Sequence, residues 1–294
     1  MVETNRSVKA SLALLTGLCI IGFSAILIKL AEAPGLVTAF YRVGVGSLVL
    51  LIPFFSRLKS IRQNFSAKGM WMAVLGGVCF GIDTGLWSIG IELSNASLPT
   101  LMANLAPAWV GIGALLLFKE KQRPGFWVGL LITFAGIIIM VNRNLLVADG
   151  LSYGIGLGVL AGIFYAAYYL FTQQGRALMN TMTYLSVSTF AAAITLAIIV
   201  LFTNYSFVGY SQTTWLIFIV YGAGVHVVGW TFINYAQGYL KATTVSPTLL
   251  GQPVITAIAA FFILGEVLTT WQIIGGIIVF GGIYIVNITW LKRK

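Results

Sequence analysis

Apolar positions along this chain do not alternate with polar ones; they run on for long stretches and stop at short polar or basic connections. A helix rises 1.5 Å per residue, so about 20 residues are needed to cross a hydrocarbon layer about 30 Å thick. Ten runs approach or exceed that length, at about 11 to 30, 36 to 55, 71 to 93, 96 to 118, 124 to 142, 151 to 172, 182 to 203, 214 to 238, 242 to 264 and 270 to 291. Strands that span a membrane are about ten residues long and alternate strictly, whereas these runs are longer and apolar throughout. The pattern predicts an all-α integral membrane protein with ten transmembrane helices, numbered here as spans 1 to 10.

Part of the pattern is written twice. Shifted by 146 positions, Ala96 to Val141 overlies Ala242 to Asn287 without a gap, with Pro107 on Pro253, Glu120 on Glu266, Gly129 on Gly275 and Gly136 on Gly282. Two Leu/Ile-rich helices would match by chance at aliphatic positions, but not at that Pro and Glu spacing. Residues 1–147 and 148–294 each hold five spans. Five is odd, so the second half enters the membrane in the opposite sense, which predicts two inverted five-helix repeats. The joint from Asn142 to Ser152 is short and contains Asp149-Gly150, a turn signal. Gly154, Gly156, Gly158 and Gly162 imitate a dinucleotide fingerprint only in spacing: no strand precedes them, and small residues in a membrane helix permit close helix contact.

With 59% hydrophobic and 8% charged residues, the chain must use lipid as solvent. Lys and Arg in short loops mark the cytoplasmic side. With the N-terminus inside, that side collects Arg6, Lys9, Arg57, Lys59, Arg62, Lys68, Lys119, Lys121, Arg123, Arg176, Lys241, Lys292, Arg293 and Lys294. Lys29 and Arg143 fall toward the other face, and Arg42 lies within span 2. This predicts a multi-pass protein of the cell (inner) membrane with both termini cytoplasmic. The net charge of +10 then reflects topology and attraction to anionic headgroups, and no nucleic-acid partner is expected. Cys19 and Cys79 fall inside spans and are expected as free thiols. Ala31-Glu32-Ala33 imitates a signal-peptidase site, but Lys29 interrupts the approach and its cleavage would leave the first half one span short, so the first run is read as a retained helix.

The repeated unit reads Ala96 through Pro107 to Lys119-Glu120, then Gly129 and Gly136; its second copy reads Ala242 through Pro253 to Gly265-Glu266, then Gly275 and Gly282. It resembles the EamA unit of the drug/metabolite transporter superfamily. Arg42, in Ala39-Phe40-Tyr41-Arg42, matches the arginine that such units often carry in their second helix. The resemblance implies a ten-helix inverted repeat in which spans 1 to 4 and 6 to 9 surround a central cavity. Spans 5 and 10 would lie at the periphery, in some members against a second protomer, so that a homodimer would form through peripheral helices. It also implies export or exchange of small metabolites, amino acids among them. The shift of 146 places Ser188 opposite Arg42, so the arginine has no counterpart in the second half.

An ionisable group near the bilayer centre costs roughly 3 kcal/mol, so such groups face a cavity or a partner. Three residues qualify: Asp83 midway along span 3, His226 midway along span 8, and Arg42 about two turns inside span 2. The same shift carries Phe80 to His226, Asp83 to Gly229, Thr84 to Trp230 and Trp87 to Ile233, one stripe on each of two equivalent helices. Both stripes are expected to face the central cavity, with Asp83 and His226 at similar depth as a proton site or a site for a substrate ammonium. The competing structural readings are a carboxylate paired with Lys29 or Arg42, an imidazole satisfied by packing, and an arginine that pins helices rather than binding a substrate carboxylate.

Trp87, Trp230, Tyr165 and Tyr168 are placed to form apolar or cation-π walls. Trp71, Trp109, Trp127, Trp215, Trp271 and Trp290 read instead as interfacial or lipid-facing anchors. Pro107 and Pro253 interrupt spans 4 and 9, as hinges or fixed kinks, and Asn104 and Gln252 beside them are polar groups suited to reading a substrate. Glu120 and Glu266 end their spans and are assigned to interfacial hydrogen bonding. One His, two separated Cys and the lack of Walker, nucleophile-elbow or metal-ligand motifs lead to no expected metal, cofactor or catalytic residue. The sequence reading is a secondary active transporter that exports a small amino-acid-like or amphipathic solute by alternating access with proton coupling; the alternatives are a membrane-embedded lipid-handling enzyme using Asp83 and His226 as acid and base, and a channel.

Overall fold

The computed structural model describes residues 2–63, 65–93, 97–141 and 151–291. Ala96, Arg143, the Asp149-Gly150 turn and Lys292 to Lys294 lie outside the described residues, as do the side chains of Arg62 and Trp290. Among the described residues every regular element is helical, and ten spans are long and apolar enough to cross a membrane. Span 1 comprises α1 (Val2–Ile21) and α2 (Ser24–Leu30), and span 2 is α3 (Gly35–Ser56). The short α4 (Leu58–Gln63) leads to span 3, α5 (Ala67–Leu93). Span 4 is α6 (Ser97–Ala103) with α7 (Ala106–Phe118), and span 5 is α8 (Pro124–Val141). Spans 6 and 7 are α9 (Leu151–Leu178) and α10 (Thr181–Leu201). Span 8 runs through α11 (Gln212–Ile219), a π-helical stretch Val220–Gly229 and α12 (Trp230–Gln237). Span 9 is α13 (Ala242–Leu249) with α14 (Gln252–Leu264), and span 10 is α15 (Thr270–Leu291).

All ten predicted runs are present, but span 6 extends past residue 172 to Leu178. Along its polar end the buried Thr172 hydroxyl bonds back to the Tyr168 carbonyl at 2.7 Å, and Arg176 Nε docks the helix on span 8 by donating to the Asn234 carbonyl at 2.9 Å. Spans 4 and 9 break just before their prolines, which sit in the first turn of α7 and α14, where the missing N–H costs no intrahelical bond. These two helices share limits under the shift of 146 positions. Each also ends on a left-handed residue, Lys119 (φ 57°) and Gly265 (φ 67°), whose N–H reaches the carbonyl of Ala114 or Ala260.

Two apolar clusters hold the bundle together. The larger gathers side chains from spans 1 to 4 and 6 to 9; the smaller is built on α8 and α15 and reaches Leu101, Leu250 and Val254. Ile52, Leu116, Leu131 and Phe262 point outward, as a helix surface solvated by acyl chains requires. Among the tryptophans assigned to the exterior, Trp71, Trp127 and Trp271 are exposed. Trp109 is a correction: it packs against the larger cluster and its indole nitrogen is buried, whereas Trp215, in the first turn of span 8, is half-buried and edge-on to Tyr41 and Phe218. Cys19 and Cys79 are free thiols.

Candidate functional site

The middle of the bundle holds a buried aromatic shell around one cation. Arg42, from α3, places its guanidinium carbon 5.6 Å from the Phe80 ring centre and 5.3 Å from that of Tyr221. Its Nη1 donates to the Tyr221 hydroxyl at 3.2 Å, while Nε is buried without a hydrogen-bond partner. Phe80, from α5, is the hub: Trp230 meets it edge-on with ring centres 5.0 Å apart, Tyr168 lies at 5.0 Å and His226 at 6.1 Å. Tyr165 and Tyr168 are stacked with planes 9° apart. Glycines bring these elements close: a Cβ on Gly222 would stand 2.6 Å from the Val45 Cβ, and one on Gly46 would stand 2.6 Å from His226 Cδ2.

Asp83, one turn beyond Phe80, is 8% exposed and His226 only 2%, so neither faces lipid. Among the described residues neither the Lys29 nor the Arg42 ion pair expected as an alternative for Asp83 forms; Lys29 pairs with Glu266, and the hydrogen bond of Arg42 goes to Tyr221. Nor does a hydrogen bond join Asp83 to His226. The imidazole instead has Nε2 at 3.4 Å from the Thr189 hydroxyl, and its Nδ1 is buried without a partner. His226 lies in the π-helical stretch, where Gly222, Gly224 and β-branched valines weaken ordinary α-helical turns.

Other candidate residues divide between the shell and its surroundings. Tyr165, Tyr168 and Trp230 belong to it. Trp87 turns to α6 and donates from Nε1 to the Thr100 hydroxyl at 2.9 Å. Asn104 is half-buried at the break ahead of Pro107. Gln252 donates from Nε2 to the Ile21 carbonyl at 3.3 Å, and Thr256 donates to the Gly22 carbonyl at 2.7 Å, so the start of α14, midway along span 9, covers the carbonyls exposed by the break in span 1. Phe80 and Tyr221 were not among the sequence candidates. Phe80 was nevertheless marked by the shift that sets it opposite His226, and the two rings are neighbours; Tyr221 carried no signal beyond being aromatic.

Each half reaches the other through an ion pair. Lys241 pairs with Glu120 at 2.7 Å, on the face where span 1 begins, and Lys29 pairs with Glu266 at 2.7 Å, on the opposite face. The first pair is the better shielded, with side chains 36% and 17% exposed against 64% and 50%. On that opposite face the 202–211 connection folds onto the ends of spans 2 and 3. Tyr41 donates to the Phe207 carbonyl at 2.5 Å, and Tyr205 donates to Glu92 Oε2 at 2.7 Å, a bond that pushes the Tyr205 phenol up.

Comparison with known proteins places this arrangement. The profile described as the EamA-like transporter family matches residues 8–142 and again residues 152–288. The uncharacterized transporter YdfC of Bacillus subtilis (strain 168) is 21% identical over 257 residues, covering 86% of this chain and 81% of that protein. An uncharacterized transporter of Archaeoglobus fulgidus is 22% identical over 269 residues, covering 90% and 91%. One solved crystal structure superposes with a TM-score of 0.80 at 16% identity, across 97% of this chain and 99% of that one, which establishes the fold. Ten apolar spans and a family profile matched twice make this chain a multi-pass membrane protein that belongs to the EamA-like transporter family.

Proposed function

We propose that the chain is a secondary transporter carrying a small amino-acid-like or amphipathic zwitterion outward across the inner membrane by alternating access, with cytoplasmic termini and two halves related by inversion. The observation that carries this reading is that Arg42 lies over the Phe80 ring while Asp83, one turn along the same helix from Phe80, is buried and makes no ion pair with it. A guanidinium and a carboxylate buried without a mutual contact would each cost solvation free energy that an oppositely charged partner would partly recover. A solute bearing a carboxylate and an ammonium offsets both: the carboxylate meets the guanidinium, and the ammonium meets Asp83 and the ring faces of Phe80 and Trp230. The surrounding rings favour an apolar side chain. A dianion would leave one charge uncompensated beside a single arginine.

Asp83 and His226 are the protonatable groups at that depth and couple flux to a proton gradient in this reading. The common limits of α7 and α14 support inversion. Alternating access draws support from the Glu120–Lys241 and Glu266–Lys29 pairs, which join the halves at opposite faces, so each face opens by releasing one pair while the other holds. Thermal stabilisation across a solute panel, followed by flux in proteoliposomes with an imposed pH gradient, tests the reading. Apolar amino acids should stabilise the protein, and Asp83→Asn should uncouple flux from pH. Preference for phosphorylated sugars or nucleotides overturns the solute class; unchanged coupling removes Asp83 from the mechanism.

A further inference from the structure

A groove of about 590 Å³ opens on the side of the bundle, on the face where span 1 begins and away from the aromatic shell. Its walls come from both halves: α1 and the end of α3 on one side, the start of α10 and α12 on the other. Lys9 and Arg57 form the rim. Both are exposed, and neither has an ion-pair partner among the described residues. Deeper in, Leu12, Thr16, Thr231 and Phe232 make the wall. The two threonines present methyl groups, because Thr16 donates its hydroxyl to the Leu12 carbonyl at 3.0 Å and Thr231 donates to the Val227 carbonyl at 2.6 Å. Among the described residues no Asp or Glu lines the groove.

We infer that this groove seats one anionic phospholipid, with its phosphate at Lys9 and Arg57 and an acyl chain along the α1 and α12 walls. Charge and polarity are layered in the order that a lipid requires. The cations stand at the level where spans 1 and 2 meet the headgroups, and the methyl-lined wall continues inward for about 10 Å of helix between Lys9 and Thr16. A water-soluble anion would match the rim and leave the wall bare; a neutral lipid would match the wall and leave both cations uncompensated. Because the walls belong to different halves, the seated lipid bridges them, a role separate from solute binding at Arg42.

The test uses the full-length protein in neutral detergent, with lipid binding read by native mass spectrometry and by the shift in melting temperature. Phosphatidylglycerol should be retained as one molecule and raise the melting temperature more than phosphatidylcholine with identical chains. Lys9→Gln with Arg57→Gln should weaken phosphatidylglycerol binding by roughly 25-fold, about fivefold per cation, and phosphatidylcholine binding, whose phosphate is balanced by its own choline, by only a few-fold. Thr231→Trp, which fills the wall and spares the rim, should also release the lipid. Equal retention of the two lipids, full competition by inorganic phosphate, or no loss in the double variant would overturn the assignment.

Discussion

Gly136 and Gly275 meet backbone to backbone: a Cβ on Gly136 would stand 2.8 Å from the Gly275 carbonyl oxygen, and one on Gly275 would stand 2.6 Å from the Gly136 oxygen. Two turns away, Gly129 meets Gly282 in the same manner, at 2.9 and 2.7 Å. Because Gly136 meets Gly275 while Gly129 meets Gly282, α8 and α15 run antiparallel. Dispersion rather than hydrophobic exclusion joins helices in lipid, and only small residues let backbones come this close.

Alanine at any of these four positions should therefore force the two helices apart. Gly136→Ala and Gly275→Ala are expected to lower stability by about 1–3 kcal/mol, the usual cost of overpacking. Gly281→Ala on α15, where an added Cβ meets nothing within 4 Å, should be neutral or slightly stabilising. Melting temperatures in one detergent decide it; equal effects at Gly275 and Gly281 would mean that the seam carries no stability.

Arg42 is held by two ring faces and the Tyr221 hydroxyl, a geometry that a planar guanidinium satisfies and an ammonium does not. Arg42→Lys should reduce solute affinity by about 10- to 100-fold with the fold retained, and Tyr221→Phe by a few-fold, the loss of one hydrogen bond. Binding and melting temperature must be measured together. If Arg42→Lys lowers only the melting temperature, the arginine pins helices and binds no carboxylate.

The spans were legible because run length alone separates a membrane helix from other elements, and the repeat shift located α7 and α14 with matching ends. Sidedness inside the bundle was not. In water an apolar stripe against a polar one tells core from surface, but lipid tails are as apolar as leucine, so buried Phe80 and exposed Phe262 look alike in sequence. The same degeneracy placed Trp109 outside. Gly222, Gly224 and the valines of span 8 weaken an ordinary helix without naming what replaces it, so the π-helical stretch Val220–Gly229 was not legible either.

The two ion pairs between halves should respond unequally to neutralisation. Glu120 is the more shielded carboxylate and its Oε2 has no hydrogen-bond partner, so Lys241→Gln strands a charge and should cost about 1–3 kcal/mol. Lys29→Gln breaks an exposed pair and should cost at most about 0.5 kcal/mol. Under alternating access each change should also raise labelling of introduced cysteines on its own face. If Lys241→Gln increases labelling only on the opposite face, the pair does not hold that face shut.

Gly46 offers a way to perturb His226 without replacing it. A methyl group there would stand 2.6 Å from the imidazole Cδ2, on a ring already enclosed by Phe80, Trp230 and Thr189. Gly46→Ala must push the imidazole away from α3 or widen the gap between α3 and span 8, and either shift disturbs the 3.4 Å approach to Thr189. Gly44→Ala, whose added Cβ would find nothing nearer than the Phe40 ring at 3.9 Å, is the control on the same helix. Proton-coupled flux should fall several-fold in Gly46→Ala and stay unchanged in Gly44→Ala at equal protein levels in the membrane. Should both variants transport normally while His226→Gln does not, the imidazole acts by its chemistry alone and its exact placement against α3 is immaterial; should His226→Gln also transport normally, it is a packing residue.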